Sequence, residues 1–201
     1  MGIKEEIQAA GTAMKNGGIA VFPTETVYGI GVAYNQENAY KTLVNLKKRP
    51  PEKPFSMMFA SLEDALPLLD VDERRKKLMS AFLPGQVTFL CRAKKGLPHQ
   101  CDLGTGIVGV RVPSGETAMK VMKAAGCPCL VTSANLSGMK TALTLEEAKA
   151  YFPAGVDAFV GGECTSKVAT TIIDLTGGEP KLVRQGEIKL EDIDKVWRDE
   201  Q

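Results

Sequence analysis

Apolar positions at the start of the chain recur at helical spacing. Ile3, Ile7, Ala10 and Met14 fall on one face, and Gly17-Gly18 ends the pattern as a C-cap does. The period then changes. Ile19-Ala-Val-Phe22 is a continuous apolar run that reads as a buried strand stopped by Pro23. Helix returns from Gln36 to Lys48, with Ala39, Leu43 and Leu46 on one face, and Pro50, Pro51 and Pro54 force a loop after it. Phe55 to Ala60 reads as strand, Ser61 to Asp64 as the capped start of a short helix, Asp72 to Leu83 as helix, and Gln86 to Arg92 as strand. Ile107 to Val112 is a strand, followed by a helix that opens at Pro113-Ser114 and runs to Ala125. Leu130 to Ser133 is a strand ending in the turn-rich Ala134-Asn-Leu-Ser-Gly138. A capping box at Thr144-Leu-Glu-Glu147 starts a helix to Tyr151. Strands follow near Ala158–Val160, Thr170–Asp174 and Lys181–Arg184, and a last helix covers Leu190 to Trp197.

Interleaved helices and strands predict an α/β fold, an open twisted mixed sheet with helices packed on it. Short connections require some antiparallel pairs. The chain has 201 residues, and at roughly 150 residues per domain, with no linker or repeat, a single domain over residues 1–201 is expected. Lys plus Arg is 25 and Asp plus Glu is 24. That balance lacks the basic excess of a general nucleic-acid coat or a membrane-surface protein. The N-terminal segment lacks an apolar h-region, and no apolar run approaches the roughly 20 residues of a membrane span, so a cytoplasmic protein is expected.

Five cysteines, an odd number, read as free thiols, and the one-residue spacing of Cys127-Pro-Cys129 does not suit zinc. The single histidine, His99, excludes two-His zinc sites and reads as an exposed loop residue. Gly104-Thr-Gly-Ile-Val-Gly109 matches G-x-G-x-x-G, but its glycines run into a strand instead of opening a helix, so no dinucleotide loop is expected.

Four stretches carry candidate chemistry. Pro23-Thr-Glu-Thr-Val-Tyr-Gly-Ile-Gly31 sets hydroxyls and one carboxylate before two glycines, as a ligand loop or a strand-end turn. Lys47-Lys-Arg-Pro-Pro-Glu-Lys53 is a cationic corner stiffened by proline. Lys47 and Lys48 suit a helix C-terminus, whereas Arg49 and Lys53 suit a phosphate or carboxylate clamp. Ser133 and Asn135 sit where a strand ends, the place where open α/β sheets hold ligands, or they form an Asx turn. Arg111 and Arg184 lie in strands, each either on a solvated face or buried with an anion.

Together these segments resemble the YrdC/TsaC family of threonylcarbamoyl-AMP synthases. The matching motifs are Pro23–Gly31, Lys47-x-Arg49-Pro50, Lys53-Pro54, Arg111-Val-Pro113, Ser133–Gly138, Thr170–Asp174 and Arg184-Gln-Gly186, in that order across residues 10 to 190. The resemblance implies an open α/β fold with a large cationic cavity. It implies condensation of L-threonine, bicarbonate and ATP into threonylcarbamoyl-AMP, with Mg²⁺ on the phosphates and pyrophosphate released. The product would feed a transferase complex that modifies position 37 of tRNA. By the same resemblance Lys47 and Arg49 act as catalytic cations. Arg49, Lys53, Ser133, Asn135, Thr141 and Arg184 bind ATP, and Thr26, Arg111 and Thr170 bind threonine. No metal ligated by the protein is implied. Three positions depart from the pattern: Met58 stands where the family often has His, Ile107 where Thr is common, and Thr170 where Ser is commoner. The short form, without the longer members' extra domain, is expected. The alternatives are an RNA-binding module using the same basic cavity, and a carbamoyl-phosphate-using domain like those of hydrogenase maturation factors. Tests of these separate salt-dependent RNA affinity from threonine-dependent turnover.

Overall fold

The computed structural model describes residues 2–199. In chain order the elements are α1 (Ile3–Lys15), β1 (Ala20–Pro23), β2 (Tyr28–Ala33), α2 (Glu37–Leu46), β3 (Ser56–Met58), α3 (Leu62–Ala65), α4 (Glu73–Phe82), β4 (Val87–Arg92) and α5 (His99–Asp102). They continue with β5 (Ile107–Arg111), α6 (Glu116–Ala125), β6 (Cys129–Ser133), α7 (Leu145–Tyr151), β7 (Ala158–Phe159), β8 (Thr171–Asp174), β9 (Lys181–Arg184) and α8 (Leu190–Asp199). The strands form one mixed sheet in the order β7-β1-β2-β6-β3-β5-β4-β8-β9. The pairs β1/β7, β3/β5 and β4/β8 are parallel and the others antiparallel. The sheet is open, as the interleaving of elements implies.

Strand alternation sorts the side chains onto two faces. Val21, Ile30, Met57, Phe89, Val110, Leu130 and Ile173 are buried in one cluster with Leu43 of α2, Leu78 and Met79 of α4, and Ile193 and Trp197 of α8. On the opposite face Ala20, Phe22, Met58, Cys129 and Val131 meet Ile7, Ala10 and Met14 of α1 and Ala118, Val121 and Met122 of α6. Full burial of a side chain such as Phe22 contributes about 1.5–3 kcal/mol. Helices α1 and α6 approach closely at Gly11, where a Cβ would lie 2.5 Å from Ala124 Cβ. These two helices touch β1, and α1 also touches β2 and β7. Farther along the same face, at β3, β5, β4 and β8, the sheet opens onto a hollow instead.

The structure departs from the sequence reading in two elements. The stretch read as a strand-end turn continues into a six-residue strand, β2. Gly29 and Gly31 hide it, because glycine is depleted in strands. Here it is required by crowding: a Cβ on Gly31 would stand 2.8 Å from Val131 Cγ2 and 2.9 Å from the Leu130 carbonyl oxygen. His99 is exposed, as expected, but it heads the short helix α5 and does not lie in a loop. Gly104 and Gly106 have φ of 79° and 70° in the turn before β5, and Gly109 lies inside β5, so no helix follows to meet a pyrophosphate.

Candidate active site

A hollow of about 240 Å³ opens on the bare half of the sheet. Of the residues singled out from the sequence, Thr26, Arg49, Arg111, Ser133, Thr141, Thr170 and Arg184 line it. Lys47, Lys53 and Asn135 do not.

Pro23 ends β1 and a tight turn follows. Thr24 Oγ1 donates to the Val27 carbonyl at 2.7 Å and accepts from the backbone N–H of Thr26 and Val27. With that proton committed, the 2.8 Å contact between the Thr24 and Thr26 hydroxyls makes Thr26 the donor. Thr26 therefore offers lone pairs to the hollow. One of them accepts from Arg111 Nη2 at 2.9 Å.

Arg111 is buried with an anion partner, one of the two alternatives its sequence allows. Its Nη2 donates to Glu25 Oε1 at 2.6 Å, and the two side chains are 11% and 5% exposed. The other Glu25 oxygen accepts from the Gly115 N–H at the head of α6. The Glu25 carbonyl accepts from Ser166 N and Thr165 Oγ1, which fastens the segment before β8 to the same corner. Removing one partner of such a pair typically costs about 3–5 kcal/mol, because the other charge is left buried and uncompensated. Arg111 Nε is buried with no hydrogen-bond partner among the described residues.

Arg49 is held as a preformed cation. Its Nε donates to the Lys53 carbonyl at 2.9 Å and its Nη2 to the Pro54 carbonyl at 2.8 Å, with the guanidinium 4.8 Å from the centre of the Phe55 ring. The prolines stiffen the loop that supplies those carbonyls. Lys53 itself is exposed and contributes its carbonyl to Arg49, outside the hollow's lining. Burial pulls the Arg49 guanidinium below its ordinary pKa.

Lys47 ends α2, as its helix C-terminal reading has it, but its side chain is buried there. It is 1% exposed, and its Nζ donates to the carbonyls of Ser133 and Asn135 at 2.6 and 2.5 Å. Its own carbonyl accepts from Ser137 N. Desolvation, and then the charge of Arg49, lower its pKa to about 7. The amine thus ties the end of α2 to the loop after β6. In that loop Asn135 Oδ1 accepts from Ser133 Oγ at 2.6 Å, and its Nδ2 donates to the Leu136 and Met139 carbonyls. Asn135 is therefore occupied in shaping the turn, and Ser133 and Thr141 are the residues of this segment that reach the hollow.

At the far wall Arg184 donates from Nε and Nη2 to the Thr170 carbonyl, and from Nη2 to the Thr170 hydroxyl at 3.0 Å. The Thr170 hydroxyl lies 3.2 Å from that of Thr88 on β4. Burial depresses the Arg184 pKa, and the charge of Arg111 depresses it further. The cations of the hollow thus repel one another.

Ser56 and Thr88 were not singled out from the sequence, and Glu25 entered only as the one carboxylate of the Pro23–Gly31 stretch. Thr88 had a signal, since it interrupts the apolar run from Val87 to Cys91 on a buried strand. Ser56 does the same beside Met57. Among the described residues no group of three or more His, Cys, Asp or Glu could hold a metal ion, and no helix is long and apolar enough to cross a membrane.

An open mixed sheet with half of one face left bare and furnished with arginines and hydroxyls defines an α/β domain with a cationic hollow. Comparison with known proteins narrows the class. The chain belongs to the Sua5/YciO/YrdC family, whose model, described as "Telomere recombination", matches residues 12–186. It is 33% identical over 193 residues to the threonylcarbamoyl-AMP synthase of Pyrococcus abyssi, covering 95% of this chain and 57% of that protein. It is 34% identical over 178 residues to the threonylcarbamoyl-AMP synthase of Aliivibrio fischeri, covering 87% of this chain and 95% of that one. The crystal structure of P. abyssi Sua5 complexed with L-threonine matches with a TM-score of 0.90 at 33% identity, over 96% of this chain and 57% of that chain. Escherichia coli YciO matches with a TM-score of 0.85 at 29% identity, over 94% and 93%. The chain thus spans little more than half the length of the Pyrococcus relative.

Proposed function

We propose that this protein is an L-threonylcarbamoyladenylate synthase. The observation that carries the reading is the convergence of Arg49, Arg111 and Arg184 with Thr26, Thr170 and Ser133 on one hollow. Three guanidinium groups from separated stretches, two of them without a carboxylate partner among the described residues, suit a polyphosphate. Charge-assisted contacts of this kind contribute about 1.5–3 kcal/mol each.

In this reading the threonine amine attacks bicarbonate. A nitrogen–carbon bond forms, hydroxide leaves with an amine proton as water, and a carbamate remains. A carbamate oxygen then attacks the α-phosphorus of ATP, the bond to the β-phosphate oxygen breaks, and pyrophosphate departs. Chemistry of this kind depends chiefly on positioning and charge neutralisation. Arg49 and Arg184 hold the phosphates, Ser133 and Thr141 border the nucleotide, and Arg111, with Thr26 and Thr170, orients the amino acid. Lys47 supports the Ser133–Asn135 loop from behind. The residues lining the hollow offer hydroxyls and guanidinium groups and no carboxylate, so Mg²⁺ would be carried in by the phosphate oxygens of ATP, where it would neutralise their charge. The product is passed to a transferase complex that acts on tRNA.

The test is an assay of purified protein with Mg-ATP, bicarbonate and L-threonine. Pyrophosphate and threonylcarbamoyl-AMP form only when all three are present. Pyrophosphate release that ignores threonine overturns the reading.

A further inference from the structure

Glu25 is a buried carboxylate that touches a lining residue of the hollow without lining it itself. A charge in such a place is costly unless it is paired and hydrogen-bonded. Both of its oxygens are used. Oε1 accepts from Arg111 Nη2 at 2.6 Å, and Oε2 accepts from the Gly115 N–H at 3.0 Å. Gly115 is the N-cap residue of α6 and has no side chain with which to cap it. The carboxylate serves that end from a distant part of the chain, where the helix dipole favours negative charge. The approach is tight: a Cβ on Gly115 would lie 2.7 Å from Glu25 N and 3.2 Å from Glu25 Oε2. Glu25 is thus fixed between a helix N-terminus and an arginine.

Arg111 is affected in two ways. Its bonds to Thr24, Glu25 and Thr26 all come from Nη2, at 3.3, 2.6 and 2.9 Å. That pins one corner of the guanidinium and leaves Nε, without a partner among the described residues, for another acceptor. The carboxylate also offsets the charge. Arg49 and Arg184 have no carboxylate partner among the described residues, whereas Arg111 has one. The charge of Arg111 is felt at Arg184, whose pKa it depresses, so what offsets it is felt across the hollow.

Three equal arginines would form one continuous anion site, and a triphosphate could take all three and shut the amino acid out. With Glu25 beside it, Arg111 belongs to a pair of zero net charge. A polyphosphate brought to that pair is repelled by the carboxylate through each of its charges. An amino acid brings a single carboxylate. We infer that Glu25 is a positioning residue that sets specificity: it holds Arg111 in place and reserves it for the amino-acid carboxylate, confining the polyphosphate to Arg49 and Arg184. This inference rests on the synthase reading, which supplies both ligands.

Calorimetric titration of inorganic tripolyphosphate and of L-threonine, each alone and in the presence of the other, tests the partition. In the wild-type protein the two bind together, and saturating tripolyphosphate changes the threonine Kd by less than twofold. Glu25→Gln keeps an acceptor for Arg111 and removes the charge. It binds tripolyphosphate at least threefold more tightly and makes it competitive with threonine. In turnover its threonine KM climbs with ATP concentration, tenfold or more across the accessible range, whereas the wild-type value stays within twofold. Glu25→Asp keeps the charge on a shorter arm, and its tripolyphosphate affinity stays within twofold of wild type. Both variants disturb the bonds to Gly115 and Arg111, so a merely structural role moves them alike. Equal changes in the two variants overturn the inference. Competition between tripolyphosphate and threonine in the wild-type protein, a measurement that needs no variant, overturns it as well. A wild-type protein with neither threonine binding nor threonine-dependent turnover overturns the synthase reading instead, and tighter tripolyphosphate binding by Glu25→Gln than by Glu25→Asp then still shows that the Glu25 charge keeps polyphosphate from Arg111.

Discussion

One face of this sheet is built in two ways. At β7, β1 and β2 it is covered by α1 and α6, with Phe22, Val131 and Met14 between them. At β3, β5, β4 and β8 it is bare, and the inward positions are Ser56, Arg111, Thr88 and Ile172. The same alternation produces both halves; only the covering differs. In the covered half the residues are chosen for volume, and Gly11 exists because two helix backbones touch. In the bare half they are chosen for donors, and the cations are kept apart by carbonyls and by Glu25. Apolar packing and the candidate site therefore occupy opposite ends of one surface, and outside the buried Arg111–Glu25 pair the two are separable by mutation.

Arg49→Ala should produce the sharpest separation. Turnover should fall by a hundredfold or more, while the melting temperature stays within 2–3 °C of wild type, about what a loss of less than 1 kcal/mol gives in a chain of this size. A large drop in melting temperature would mean that the bare half also holds the fold together. Gly11→Val is the converse. It drives a side chain into Ala124 and should cost about 3 kcal/mol or more by overpacking, read by denaturant midpoint, with KM values unchanged in the protein that remains folded.

Lys47 lies between these extremes. Folding holds its amine near 7, against an ordinary 10.5. Between those values the unfolded chain binds the extra proton, so stability should climb as pH rises from about 7 toward 10. Lys47→Met should flatten that slope, measured by urea unfolding across the range, and should raise the KM for ATP by loosening the Ser133–Asn135 loop. A slope that survives the substitution contradicts the assignment.

A smaller effect concerns the amino acid. Met58, paired in register with Arg111, lines the hollow and offers an apolar surface to a methyl group. Serine, lacking the methyl, should show a kcat/KM about fourfold below threonine, the equivalent of about 0.8 kcal/mol for one buried carbon. Smallest of all is a chemical probe of the covered half. Cys127 is half-buried and held near 7 by its hydrogen bond with Cys129, whereas burial raises Cys91, Cys101 and Cys164. Iodoacetamide at pH 7.5 should label Cys127 first by peptide mapping, with turnover retained.

Local signals in the sequence were enough where one element decides its own form. The capping box at Thr144 and the helical spacing of Ile3, Ile7, Ala10 and Met14 are of that kind, and both elements are present. Strand β2 was hidden because its glycines answer to Val131, a residue a hundred positions away that only the folded sheet brings near. The site divides in the same manner. Arg111 and Arg184 stand out as charges inside apolar strands. The commitment of Lys47 to two carbonyls, and of Asn135 to its own turn, depends on α2 meeting the loop after β6, which no spacing along the chain records.

The account depends on the bare half being one polyanion site with several owners. Calorimetric titration of Mg-ATP into wild-type protein, Arg49→Ala and Arg184→Ala tests this most directly. Each single substitution should weaken binding at least tenfold at a stoichiometry that stays one to one, and the losses should be coupled in the double variant. Binding that survives both substitutions undiminished would place the nucleotide elsewhere and contradict the account.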